Sequence, residues 1–322
     1  MNLNSPFFSV VIPVYNKEKY VSRSIQSVIN QTFDNFEIII VNDASNDNSM
    51  DVVRSFDDPR IRVFNRDTPG PGGYAARNLG ITHSRGIWIA FLDADDKWDP
   101  DHLESMYKLS CMFPDARFMA AGSRVINGHN IQPNAYWACN EHKGPHLISL
   151  SEYLSSCLDN KRPVRTGTAC IKNDKTVVTR LFPDNMNVKR GGDLYAWLKL
   201  MCHYKQMAWS NHLGENYYKD IPGQVVKVAP TSISLMGHDV YNEFSRDLKR
   251  KEKILLAKYL NYWLFKVWKR SPTRYFSSLM IIKNLYWKRD PLFSLFVSIL
   301  IVMPRKLVFS VWRAIKYWEF KV

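Results

Sequence analysis

The chain is expected to fold as an α/β protein, a mostly parallel sheet with helices on both faces. Three observations predict this. Short apolar, β-branched runs recur through the first hundred residues, stretches with helical spacing separate them, and polar turns follow the runs. Phe8–Val14 (FSVVIPV) is the pattern of a strand buried on both faces. Tyr20–Gln31 places Val21, Ile25, Val28 and Ile29 at helical intervals. Glu37–Val41 (EIIIV) is a second strand, and Asn42–Ser49 is a polar turn into a helix. Arg60–Phe64 reads as a third strand, Tyr74–His83 as a helix, and Ile87–Leu92 (IWIAFL) as a fourth strand. From about residue 113 to 235 the pattern loosens. Pro133–Pro145 and Lys161–Thr168 read as loops, and Asp193–His203 reads as a helix. After residue 245 come helices rich in Lys, Trp, Tyr and Phe.

Composition bounds the rest. In 322 residues, 46% are apolar, enough for a sizeable core and against global disorder. The five cysteines are scattered without a CxxC pair, and no signal-like stretch opens the sequence, which points to a reducing, cytosolic setting. The net charge of +14 is localised. Residues 1–245 hold equal numbers of basic and acidic side chains, whereas residues 246–322 hold 18 Lys and Arg against Asp247, Glu252, Asp290 and Glu319. The expected organisation is therefore residues 1–112 and 113–245 as two halves of a neutral globular body, with 246–322 as a basic, aromatic helical tail.

In open parallel sheets ligands bind at the carboxyl ends of the strands, so the residues after each strand carry the functional signal. After the fourth strand stands Asp93-Ala94-Asp95-Asp96. Three carboxylates there repel one another unless a cation sits among them, and hard oxygen ligands suit Mg2+ or Mn2+ beside substrate phosphates. The competing explanation is an acidic turn before the helix that starts near Asp99-Pro100-Asp101. Asp43 follows the second strand, and Tyr15-Asn16 follows the first, with Pro13 stiffening its exit. Each is also an ordinary turn residue type. Gly70-Pro71-Gly72-Gly73-Tyr74-Ala75 opens a helix about twenty residues before Asp93, so a dinucleotide fingerprint and an NAD(P)-dependent oxidoreductase compete. Against that, Asn65 to Pro69 separate the glycines from the strand. The plainer reading is a loop whose small residues let backbone approach a ligand, with Arg77 supplying positive charge. Gly191-Gly192-Asp193 begins a helix, where Asp193 is either the N-cap or a carboxylate held on a rigid helix start.

Taken in order, these segments resemble the family 2 glycosyltransferases, which share the GT-A fold. The resemblance covers about residues 7–220. It rests on Ser9-Val10-Val11-Ile12-Pro13-Val14-Tyr15-Asn16, Ile39-Ile40-Val41-Asn42-Asp43-Ala44-Ser45 and Ala76-Arg77-Asn78-Leu79-Gly80. It continues in Phe91-Leu92-Asp93-Ala94-Asp95-Asp96-Lys97-Trp98 and Gly192-Asp193-Leu194-Tyr195-Ala196-Trp197-Leu198. The resemblance implies an inverting transferase that takes a sugar from a nucleotide diphosphate donor, a UDP-sugar, to an acceptor hydroxyl. It implies that Asp43 reads the uracil near Pro13 and Tyr15, and that Asp93 and Asp95 form a DxD pair. Asp93 would reach the ribose or, through water, the Mn2+ or Mg2+ that Asp95 binds; Asp193 would be the catalytic base. Many members have Glu-Asp where this chain has Gly192-Asp193, so acceptor choice is not carried over. A binding-only role for the same fold is the non-enzymatic alternative.

The tail bears on the acceptor. Residues 254–269 place Lys258, Asn261, Tyr262, Lys266 and Lys269 on one narrow stripe, and 305–318 oppose Lys306, Arg313 and Lys316 to Val308, Val311, Trp312 and Ile315. Basic amphipathic helices with Trp belong at an anionic membrane interface. Pro291–Pro304, the longest uncharged run of the tail, is too short to span a bilayer comfortably. The apolar faces are too extensive for a nucleic-acid surface. These features predict a cytoplasmic protein held peripherally on the inner face of the cell membrane. Its acceptor would be a saccharide on a polyprenyl diphosphate carrier in surface polysaccharide assembly.

Overall fold

The computed structural model describes residues 5–186, 188–219, 221, 233–270 and 277–303. The segment 305–318, read above as an amphipathic helix, lies outside the described residues. Two compact units are present, Met1–Val228 and Ala229–Val322.

The first unit begins as the apolar pattern predicts, with β1 (Phe8–Val14), α1 (Val21–Ile29), β2 (Phe36–Asn42), α2 (Ser49–Arg54), β3 (Ile61–Asn65), α3 (Tyr74–His83) and β4 (Trp88–Phe91). Next come β5 (Lys97–Trp98), α4 (His102–Met112), β6 (Phe118–Asn127), β7 (Asn130–Pro133), α5 (Ala135–Asn140), β8 (His146–Ser149) and α6 (Leu150–Leu158). The unit ends with β9 (Cys170–Lys172), α7 (Lys175–Val178), α8 (Gly192–Tyr204) and β10 (Gln206–Tyr218). The strands join one sheet in the order β3-β2-β1-β4-β9-β6-β10-β5, with β7 on β6 and β8 on β10. Strands β3, β2, β1 and β4 run parallel, and β9 is antiparallel to β4 and β6.

Two local features open the sheet where the functional signals lie. The pairing of β1 with β4 ends at Val11↔Phe91, so Pro13, which cannot donate a ladder bond, falls where β1 has lost that neighbour. Strand β10 carries register shifts between Ser210 and Leu213 and between Leu213 and Glu215. Bulges of this kind bend a strand and re-aim its side chains. Beyond the bend Glu215 pairs with Trp98 of β5. The core under the sheet is aromatic: Phe182 meets Phe91 and Trp197 edge-on, and Phe118 stacks on Trp197. Asn78 clamps residue 182 to α3, donating from Nδ2 to the Phe182 carbonyl (2.8 Å) and accepting the Phe182 N–H (3.0 Å).

Two expectations change. The Pro133–Pro145 stretch contains α5, because the Asn134 side chain accepts the Trp137 N–H and caps it. In the second unit, α9 (His238–Phe244), α10 (Arg250–Arg270), α11 (Ser278–Asn284) and α12 (Pro291–Val302) pack together. Asn261 of α10 is fully buried rather than on the polar stripe. It donates to Asp290 Oδ2 (3.1 Å) and Ser294 Oγ (3.2 Å) and accepts the Tyr286 N–H (2.8 Å). A helical wheel sorts by residue type, and a buried amide with three partners is satisfied inside.

Helix α3 lies on β1 through Gly80, where a Cβ would collide with Val11 Cγ1. Valine is stiff at χ1 and cannot swing aside. Gly80→Ala is therefore expected to destabilise the chain by about 1–3 kcal/mol, read as a lower urea midpoint.

Candidate functional site

The exits of β1, β2 and β4, the loop before α3 and the start of α8 supply the candidate residues. The three carboxylates after β4 are separated by giving each its own partner. Asp95 Oδ2 lies 2.8 Å from Lys17 Nζ, and the Asp95 carbonyl accepts Arg23. Asp93 pairs with Arg77. Asp96 is buried and accepts the Tyr218 N–H at 2.9 Å. Burial, then Glu215, Asp95 and Asp93, push the Asp96 carboxyl well above its ordinary range. Glu215 is likewise buried and is pushed up to about 7 by burial, against the pull of Arg165, whose Nε lies 3.4 Å from Oε2. Gly167 makes room for it, since a Cβ there would collide with Glu215 Oε1.

Asp43 is buried at the end of β2, paired with Arg66, and accepts the Gly70 N–H at 3.1 Å. It thereby anchors the loop that leads to α3. Gly72 and Gly73 have φ of 65° and 69°, the left-handed region that glycine occupies without strain. A Cβ at Gly73 would lie 3.3 Å from Arg77 Nη1 and 3.8 Å from Pro13 Cβ, so the loop, Arg77 and Pro13 stand together. Arg77 is buried, donates to the Gly72 carbonyl at 3.0 Å and binds Asp93. Burial pulls its pKa down, but Asp93, with Tyr74 and Asp193, together pull it up by more, and the net shift is upward. Tyr15 is 46% exposed at the β1 exit. Asn16 exchanges two hydrogen bonds with Asn46 (2.7 and 2.9 Å), which ties the β1 exit to the β2 exit.

Asp193 is not the N-cap of α8; Gly191, with φ 92°, holds that position and Asp193 sits in the first turn. The helix start is fixed by Tyr74, whose hydroxyl accepts the Gly192 N–H at 2.9 Å and faces the Lys189 carbonyl at 3.4 Å. A Cβ at Gly192 would lie 2.6 Å from the Tyr74 ring. The glycine before Asp193 is thus required by the aromatic ring beneath it. Burial, then the nearby Asp193 charge, raise the Tyr74 phenol, keeping it a neutral donor. Asp193 also acts electrostatically on Arg77, so the α8 carboxylate and the Asp93 pair share one field.

Asp93 and Asp95 are hard oxygen donors, and each already draws a cationic side chain, which is the donor chemistry a divalent ion needs. Among the described residues no three His, Cys, Asp or Glu side chains are grouped around one ion position. An ion at this pair would therefore take its other ligands from phosphate oxygens or water. Sequence reasoning missed Lys17, Arg66, Tyr74 and Glu215. Lys17 follows Tyr15-Asn16 at a strand exit and was within reach of the strand-end rule. Glu215 had no local signal.

Glu215 gives a pH prediction. Above the ordinary value of 4.5 the unfolded chain releases this proton, while the folded chain holds it to about 7. Stability contributed by the protonated form is therefore full below 4.5, declines as pH rises to about 7, and is flat above. Glu215→Gln is expected to flatten that decline in thermal unfolding between pH 4.5 and 7; an unchanged slope would mean Glu215 ionises freely.

The comparisons agree with this architecture. The family model described as Glycosyl transferase family 2 matches residues 9–134. The chain is 31% identical over 197 residues to the UDP-Glc:alpha-D-GlcNAc-diphosphoundecaprenol beta-1,3-glucosyltransferase of Escherichia coli, covering 60% of this chain and 69% of that protein. It is 33% identical over 197 residues to an uncharacterized glycosyltransferase of Rickettsia bellii, covering 60% of this chain but only 26% of that protein. The structure of S. aureus TarS 1-349 in complex with UDP-GlcNAc superposes with a TM-score of 0.71 at 18% identity, covering 95% of this chain and 92% of that one. That likeness shows the GT-A fold. The Gly70–Ala75 segment accordingly belongs to a transferase fold and not to a nicotinamide-binding one, and the chain belongs to glycosyl transferase family 2.

Proposed function

We propose that the chain transfers a sugar from a UDP-sugar to a hydroxyl of a lipid-linked saccharide, inverting the anomeric configuration, at the inner face of the cell membrane. The observation that carries this is the Tyr74 bridge, which holds the helix start bearing Asp193 against the loop anchored by Asp43. One end of the site thus offers a carboxylate for a base, and the other a carboxylate for a proton.

Asp43 accepts from the uracil N–H, with Tyr15 and Pro13 beside the ring and Asn16 holding the β1 exit in place. Arg77 and Lys17, paired with Asp93 and Asp95, are the cations within reach of a diphosphate. Asp95 with Asp93 would hold Mn2+ or Mg2+, which when bound neutralises charge on the diphosphate. Asp193 takes the proton from the acceptor hydroxyl as that oxygen attacks the anomeric carbon and the bond to the diphosphate breaks. A single base and no covalent intermediate give inversion. Tyr74, buried beneath the α8 start, keeps that helix start fixed while Asp193 acts. The acceptor class is supported by the E. coli relative, whose name gives a diphosphoundecaprenol-linked substrate, and by the basic residues 246–322.

Asp193→Asn is expected to leave UDP affinity nearly unchanged and to lower turnover by roughly 10²-fold or more, the scale of a lost general base. Turnover close to the parent would return Asp193 to a first-turn residue with no chemical role. UDP binding, followed by calorimetry, is expected to require Mn2+ or Mg2+, and Asp95→Ala to remove that requirement together with activity. Full activity in EDTA would contradict this.

A further inference from the structure

Helix α12 carries a face that the described residues of its unit leave uncovered. Its inward side, Ser294, Val297, Leu300 and Ile301, is buried. Its outward side shows Leu292 (82% exposed), Leu295 (52%), Ile299 (53%) and Val302 (69%). Spacings of three, four and three residues place these four on one narrow helical stripe. Ser278 Oγ bonds the Ile301 carbonyl at 3.1 Å, so the start of α11, with exposed Leu279 and Met280, lies beside the end of this stripe.

We propose that this stripe is a membrane-docking face that rests on an anionic lipid surface. Charge decides between occupants. The charged residues between Ser277 and Met303 are Lys283, Lys288, Arg289 and Asp290. The three bases are exposed, while Asp290, the lone acid, is buried and bonded to Asn261 Nδ2. An apolar stripe with basic neighbours and its acid turned inward matches an anionic headgroup layer. A second copy of the chain would bring the excess positive charge of residues 246–322 against itself. The helix lies on the bilayer and not through it: α12 has 12 residues, and no helix among the described residues is long and apolar enough to cross a membrane. Apolar contact and charge then act together, so salt weakens the attachment without abolishing it.

The inference rests on the membrane reading above but needs none of the transfer chemistry, so it is tested with neither donor nor acceptor present. Full-length protein is floated with phosphatidylcholine vesicles and with vesicles containing added phosphatidylglycerol. Expected is flotation with the anionic vesicles, reduced on the order of tenfold or more in L292S/L295S/I299S, because each change removes an inserting aliphatic group. These positions are exposed, so thermal unfolding should match the parent. Flotation of the triple variant at the parent level overturns the assignment of α12, even if residues 246–322 still bind lipid. No flotation of the parent overturns the membrane reading itself, and equal flotation with neutral vesicles overturns anionic selection. A dimer in solution that the triple variant disperses would give the stripe to a second copy and overturn the proposal.

Discussion

Like charges crowded at one strand end are the constraint around which the rest of the site is arranged. Asp93, Asp95 and Asp96 leave β4 within four residues, and no fold keeps them ionised together without compensation. The chain answers in three ways at once. Asp93 turns to Arg77 of α3, Asp95 to Lys17 before α1, and Asp96 goes into the interior toward Glu215, where burial favours the protonated acid. Because those partners come from α3, the β1 exit and bulged β10, satisfying the carboxylates also fixes how these elements meet. The electrostatics and the architecture are one arrangement.

Tyr74 extends that arrangement to the other half of the unit. Its ring sits where a side chain at residue 192 would project, and its hydroxyl takes the Gly192 N–H, one of the orphan donors at a helix start. The glycine before Asp193 is therefore a packing consequence of an aromatic residue more than a hundred positions upstream.

Much of this was legible in the sequence, and the reasons it was or was not are physical. β1 and α3 take the bounds their patterns predict, because continuous apolar runs and helical spacing are local signals. The strand-end rule singled out Pro13, Tyr15, Asn16, Asp43, Asp93 and Asp95 as candidates, and the structure puts them at the exits of β1, β2 and β4, because parallel sheets gather loop residues at one edge. It could not show that Asn16 is engaged by Asn46 or that Arg77 is spent on Asp93 and Gly72. Those pairings depend on distances between segments. Glu215 and Asn261 were illegible for the same reason: each is a polar residue in an ordinary pattern, given meaning only by a buried partner far along the chain.

The most direct test of the site is a crystal structure of the full chain with UDP and Mn2+. Expected is the uracil against Asp43, the ion on Asp95, and Lys17 Nζ moved from Asp95 to a phosphate oxygen. A diphosphate bound elsewhere, with the Lys17–Asp95 pair intact at 2.8 Å, would contradict it.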